Sequence, residues 1–283
     1  MSRVKQIVLI FLAILNPIKT KAMHLFRTNP AYMAVAALIF LQIPILIAGN
    51  TTSPAASKYK SEFLLHLAAT NNAKPAARSM EEMVMEQADS LYSTIGLEAS
   101  GLGEEAFEMA YKGYFKLLQE GVISKPGILT IADFSKASDE KRLFVLDLEN
   151  LKLLFHTLVA HGKNSGLKYA TDFSNRPESN KSSLGFYVTL NTYVGEHGLS
   201  LKLKGLERGI NDNAYDRAIV VHGSQYVSPN ISRSQGYIGR SLGCPALPMR
   251  ESSKIIKSIK DGSLLFIYHP TRTYVEKSEI LNS

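Results

Sequence analysis

Residues 239–247 read GRSLGCPAL and hold the only cysteine of the 283-residue chain. Cys244 stands between Gly243 and Pro245, a setting that suits the interior of neither a helix nor a strand. A lone cysteine commonly serves as a small buried hydrophobe; the alternative is a reactive thiol, which attacks as its thiolate and needs a base or an electropositive setting to form it. Upstream, RAIVVHG (217–223) reads as a buried strand that ends in His222 and is punctuated by Gly223. Residues 224–243, rich in Ser, Gly, Asn and Arg, read as the loop that follows. A histidine at a strand end meets the following loop in many folds, so His222 is the candidate base for Cys244. Gly243 lets the chain turn sharply enough to aim backbone N–H groups at an oxyanion. Ser241 can hydrogen-bond within that turn, and Arg240 can draw a carboxylate.

Outward from this pair the chain is punctuated into short β-branched and aromatic runs. ILTIADFS (128–135), RLFVLDLEN (142–150) and KLLFHTLVAHG (152–162) read as strands, with Glu149-Asn150 turning a hairpin. Further strands are expected at 183–195, 200–206, 217–223 and 264–270, with one helix near 251–260. This spacing predicts a mixed or mainly antiparallel sheet rather than alternating βαβ units. Before it, helical periodicity marks Tyr59–Thr70, Ser79–Ile95 and Glu104–Gln119, and Ser79 with Glu82 forms a capping box. Met80, Met83, Val84, Leu91 and Ile95 form an apolar stripe that reads as packing. The expected class is mainly β with an N-terminal helical segment, divided as 1–50, a helical region 51–125 and a β-rich domain 126–283.

The formal charge of +7 does not point to nucleic acid. Residues 1–50 hold Arg3, Lys5, Lys19, Lys21, Arg27 and no acid, which leaves the rest of the chain with 27 basic and 25 acidic residues. From Ala31 to Ala48 the chain runs 18 residues without a charge, about the length that spans a bilayer. The basic residues ahead of that run place residues 51–283 beyond the membrane. The run is a signal segment if cleaved and a membrane anchor if not; Met23 would begin a signal of conventional length. An exported protein usually carries cysteines in pairs, which makes a single one a candidate reactive group. His24, His66, His156, His197 and His269 show no ligand spacing, and neither a metal site nor a cofactor is assigned.

VVHG followed by GRSLGCPAL resembles the signature of the YkuD-type L,D-transpeptidases. LVAHGKNSGLKYATDFSN and KSSLGFYVTLNTYVGEHGLSLKLKGLERGIND are similar to the murein L,D-transpeptidase catalytic domain branch, over roughly residues 105–270. The resemblance implies a β-sandwich-like catalytic domain in the periplasm or cell envelope that acts on peptidoglycan stem peptides through a thioester. It implies Cys244 as nucleophile, His222 as base, the Gly223 carbonyl as acceptor for the imidazole, and the N–H groups of Leu242, Gly243 and Cys244 as oxyanion hole. Ser183 and Gly185, in SSLGFY (182–187), would line the donor groove. Two departures stand out: Leu242 replaces a histidine, and Pro245-Ala246 replaces a polar or basic pair. His161 would either supply the missing imidazole or make a structural hydrogen bond. The sequence leaves open an L,D-transpeptidase, an L,D-carboxypeptidase and a non-catalytic wall-binding module.

Overall fold

The computed structural model describes residues 79–282. The apolar run 31–48 and the expected helix Tyr59–Thr70 lie outside them. Among the described residues no helix is long and apolar enough to cross a membrane.

Helix α1 spans Met80–Ile95 and opens on the expected capping box: the Ser79 hydroxyl accepts from the Glu82 N–H, and the Glu82 carboxylate accepts from the Ser79 N–H. It ends at Gly96, whose φ of 72° is the left-handed conformation that glycine adopts without penalty. Helix α2 spans Glu104–Gln119. The strands are β1 Ile128–Asp133, β2 Leu143–Asp147, β3 Lys152–Thr157, β4 Gly185–Gly195, β5 Gly198–Gly205, β6 Val220–Ser224, β7 Ala246–Pro248 and β8 Leu264–Tyr268. Between β6 and β7 lies α3 (Pro229–Gln235); α4 (Met249–Ile259) precedes β8, and α5 (Arg272–Lys277) follows it. Three of these elements go beyond the sequence reading. Helix α3 interrupts the expected loop 224–243, β7 is a strand of three residues, and α5 closes the chain.

All eight strands join in one sheet, in the order β3-β2-β1-β8-β4-β5-β6-β7. Neighbours run antiparallel except β1 with β8 and β6 with β7, which is the mixed sheet that the strand spacing predicts. The sheet nearly closes on itself. Past β3, the Ala160 N–H donates to the Ala246 carbonyl at 2.8 Å, and His161 and Lys163 exchange backbone hydrogen bonds with Ser241. The seam between the two sheet edges therefore runs through the segment that carries Cys244.

Helices α1 and α2 share one hydrophobic core with the strands. Gly113, inside α2, faces the Phe186 ring so closely that a Cβ there would overlap it. That close approach offsets the roughly 1 kcal/mol that glycine costs in a helix. Phe186 in turn stacks on Phe266 at 4.2 Å between centroids. Helix α4 packs against β6, where a Cβ at Gly223 would strike Ser252. The outer half of β4 and the tip 195–198 are mostly exposed, so this hairpin projects beyond the core.

Candidate active site

The Cys244 side chain lies against the start of β6. The Val220 N–H donates to Sγ at 3.4 Å, and the thiol faces the Ala218 carbonyl at 3.8 Å. His222 is two residues further along the same strand and so shares a face with Val220. His222 pairs with Ala246, two residues past Cys244, so the two residues that the sequence singled out, 22 positions apart in the chain, lie on neighbouring segments. Burial pushes the Cys244 thiol up, against the opposing pull of the Val220 N–H and the Arg217 cation. The resting group is a protonated thiol that needs a base.

His222 is buried, and its Nδ1 lies 3.0 Å from the Gly223 carbonyl. A carbonyl only accepts, so Nδ1 carries the proton and Nε2 keeps a lone pair. Burial lowers the histidine's affinity for a second proton, and the neighbouring His197 lowers it further. His222 is therefore a neutral imidazole of defined tautomer, the form able to take a proton.

The loop around Cys244 is held by its own atoms. The Ser241 hydroxyl donates to the Cys244 carbonyl at 2.6 Å and accepts from the Gly243 N–H at 3.1 Å. Gly243 has φ 128°, and a Cβ there would come within 2.9 Å of both Ile219 and the Lys181 carbonyl, so no other residue fits without strain. Of the three N–H groups expected to form an oxyanion hole, that of Gly243 is engaged by Ser241. Those of Leu242 and Cys244 have no hydrogen-bond partner among the described residues. The Leu242 side chain is 64% exposed and points away from the core.

The remaining expected residues are dispersed. His161 is fully buried: Arg142 donates to its Nδ1 at 2.7 Å, and its Nε2 faces the Gly166 carbonyl at 3.3 Å. Burial and the Arg142 charge push it down to about 4. With both ring nitrogens engaged, His161 makes a structural hydrogen bond and its backbone supports Ser241. Arg240 donates to the carbonyls of Lys163 and Gly166. Ser183 is buried against the Tyr187 hydroxyl at 2.8 Å. Gly185, φ 99°, leaves room for the Glu207 carboxylate, which a Cβ would displace.

Three residues near the site escaped the sequence reading. Ser182 donates to the Gly243 carbonyl at 3.1 Å and accepts from the Gly162 N–H, tying the cysteine loop to the segment after β3. Arg217 donates to the carbonyls of Ser174 at 2.8 Å and Lys181 at 2.6 Å, and its charge acts on the thiol. Residues 173–181, which hold this guanidinium, also line an open groove of about 590 Å³. His197, at the projecting tip between β4 and β5, stacks on His222 with centroids 4.3 Å apart. The only signal for Arg217 was its position at the head of RAIVVHG; nothing in the sequence marks His197 or Ser182.

Residues 98–268, more than half of the chain, match the family model of the L,D-transpeptidase catalytic domain. No curated protein matches. Among solved structures, an L,D-transpeptidase from Mycobacterium smegmatis is 14% identical, with a TM-score of 0.32 over 50% of this chain and 59% of that one. An L,D-transpeptidase from Stackebrandtia nassauensis is also 14% identical, with a TM-score of 0.30 over 76% of this chain and 92% of that one. The chain spans little over half the length of the first of these structures. With its nearly closed mixed sheet and the VVHG and GRSLGCPAL segments joined at β6, the chain belongs to the L,D-transpeptidase catalytic domain family.

Proposed function

We propose that the chain is a cysteine acyltransferase that joins peptidoglycan stem peptides through a thioester on Cys244. The observation that carries this reading is a protonated thiol held by the Val220 N–H of the same strand that bears a neutral, tautomer-fixed His222, beside two backbone N–H groups without partners among the described residues. His222 Nε2 takes the thiol proton as Sγ attacks the carbonyl at the L-centre of the third residue of a tetrapeptide stem. The N–H groups of Leu242 and Cys244 receive the developing oxyanion. The Gly223 carbonyl holds the imidazolium, as an aspartate does in a serine protease triad. The C–N bond then breaks, His222 returns its proton to the departing D-Ala amine, and a thioester remains. An amine of a second stem attacks the thioester, loses its proton to His222 and forms the cross-link; the sulfur then recovers that proton.

The open groove at 173–181 would receive the donor stem, with Ser182, Ser183 and Gly185 buried behind it as its support, and Arg217 would favour the thiolate as it forms. The basic N-terminus and the apolar run 31–48 support export to the cell envelope, where such a substrate lies. A second reading, a non-catalytic wall-binding module, is favoured by the raised thiol and by Leu242 in place of the usual histidine.

Incubation of the full chain with disaccharide-tetrapeptide, followed by mass analysis, separates these readings. The expected products are D-Ala and a cross-linked dimer, both lost in Cys244→Ala. Free tripeptide without dimer would make the protein a carboxypeptidase. Binding of the substrate with no product would make it a wall-binding module.

A further inference from the structure

Lys202 occupies an unusual position beside the site. It lies on β5, directly across from Val220 on β6, and two residues along the same ladder Ser200 pairs with His222. Opposed residues share a face of the sheet, so Lys202 stands on the His222 face, across from the residue whose N–H contacts the Cys244 sulfur. Adjacent strands are about 4.8 Å apart, which puts the Lys202 backbone within roughly 10 Å of that sulfur, the span of about three extended residues.

Two tyrosines bracket this lysine. Nζ lies 5.7 Å from the ring centroid of Tyr193, on the projecting part of β4, and 5.7 Å from that of Tyr215, in the connection before β6. Both rings remain open to solvent, at 39% and 51% exposure, while Lys202 itself is half-buried. Lys202 forms no ion pair with a carboxylate among the described residues, unlike Lys181, which pairs with Asp172. Rings attract a cation through their faces but accept few of its hydrogen bonds. The flexible stem is thereby restrained, and the ammonium keeps donors for an anion.

We propose that Lys202, walled by Tyr193 and Tyr215, is the subsite that receives a free carboxylate of the stem peptide. This deepens the acyltransferase reading and rests on it. Two carboxylates lie within reach of a bound stem: that of the terminal D-Ala, and the side-chain carboxylate of a diamino diacid at the third position. They share one chemistry and are separable by amidation.

The test uses the full chain as wild type, Lys202→Met and Lys202→Arg. Each receives disaccharide-tetrapeptide with both carboxylates free, with the D-Ala carboxyl amidated, or with the third-residue side chain amidated. Lys202→Met should raise KM for the free peptide by roughly tenfold or more with kcat within about twofold, and Lys202→Arg should restore most of the affinity. Amidation at the carboxylate that Lys202 holds should raise the wild-type KM to the level of Lys202→Met and leave that variant unaffected, whereas the other amide should behave like the free peptide. An equal loss on all three substrates, or no loss at all, overturns the subsite while leaving the acyltransferase standing. A wild type that neither binds nor converts any of the three overturns both.

Discussion

The thiol and the imidazole at this site begin as neutral partners, and their pH dependence follows from that. Burial raises Cys244 and lowers His222, so below the depressed histidine value His222 is an imidazolium that cannot take a proton, and above it the base is ready. The acid limb of kcat/KM should fall below pH 6.5, with activity flat above it toward neutrality. His197, stacked on His222, depresses that value further. His197→Ala should move the acid limb upward, toward the ordinary histidine value; a limb that stays or moves down in a pH-rate profile contradicts this account. Leu242 has a separate expectation. Its side chain is exposed, and in the proposed mechanism it is the backbone N–H that would supply the donor, so Leu242→His should change the rate by less than roughly tenfold, about 1.4 kcal/mol of barrier. An apolar cover also keeps water from the thioester, and the variant should shift products from dimer toward free tripeptide. A hundredfold gain with an unchanged product ratio would show the histidine to be a part this protein lacks.

At the scale of elements, the seam that positions Cys244 depends on segments that arrive from distant parts of the chain. The β4 start is fixed by Glu207, whose buried carboxylate accepts from the Phe186 N–H at 2.7 Å and from the hydroxyls of Tyr274 and Ser278. Asn211 adds a bond to the Leu184 carbonyl at 2.8 Å. Glu207→Ala strands several buried donors and should lower stability by about 3 kcal/mol. Thermal unfolding would register that as a fall of roughly 10 °C; a fall of less than about 2 °C would show the clamp to be dispensable. The legible elements were those with a strong period of their own. β1, β2, β4, β6 and β8 are dense β-branched and aromatic runs, and α1 announces itself through Ser79 and Glu82. β7 was hidden because three residues carry no pattern, and its strand conformation comes from pairing with β6. α3 was hidden because it buries none of its residues and so has no apolar stripe to read.

For the whole molecule, the near closure of the sheet decides what the site can be. Cys244 and His222 were identifiable because a lone cysteine beside glycine and a histidine closing the apolar run AIVV are local patterns, although β6 runs on to Ser224 and His222 sits at its middle rather than its end. Arg217 and His197 were not, because their roles arise only where the chain folds back: Arg217 onto carbonyls some forty residues upstream, His197 across the hairpin tip onto His222. His161 illustrates the same limit, since its pairing with the buried Arg142 could not be read from VAHG alone. The single cysteine makes the central claim directly measurable. Wild-type protein quenched in acid during turnover of disaccharide-tetrapeptide should gain the mass of the substrate less D-Ala, and peptide mapping should locate that mass on Cys244 as a hydroxylamine-labile thioester. Cross-linked dimer formed at the wild-type rate by Cys244→Ala, or an acyl group found on any other residue, would contradict it.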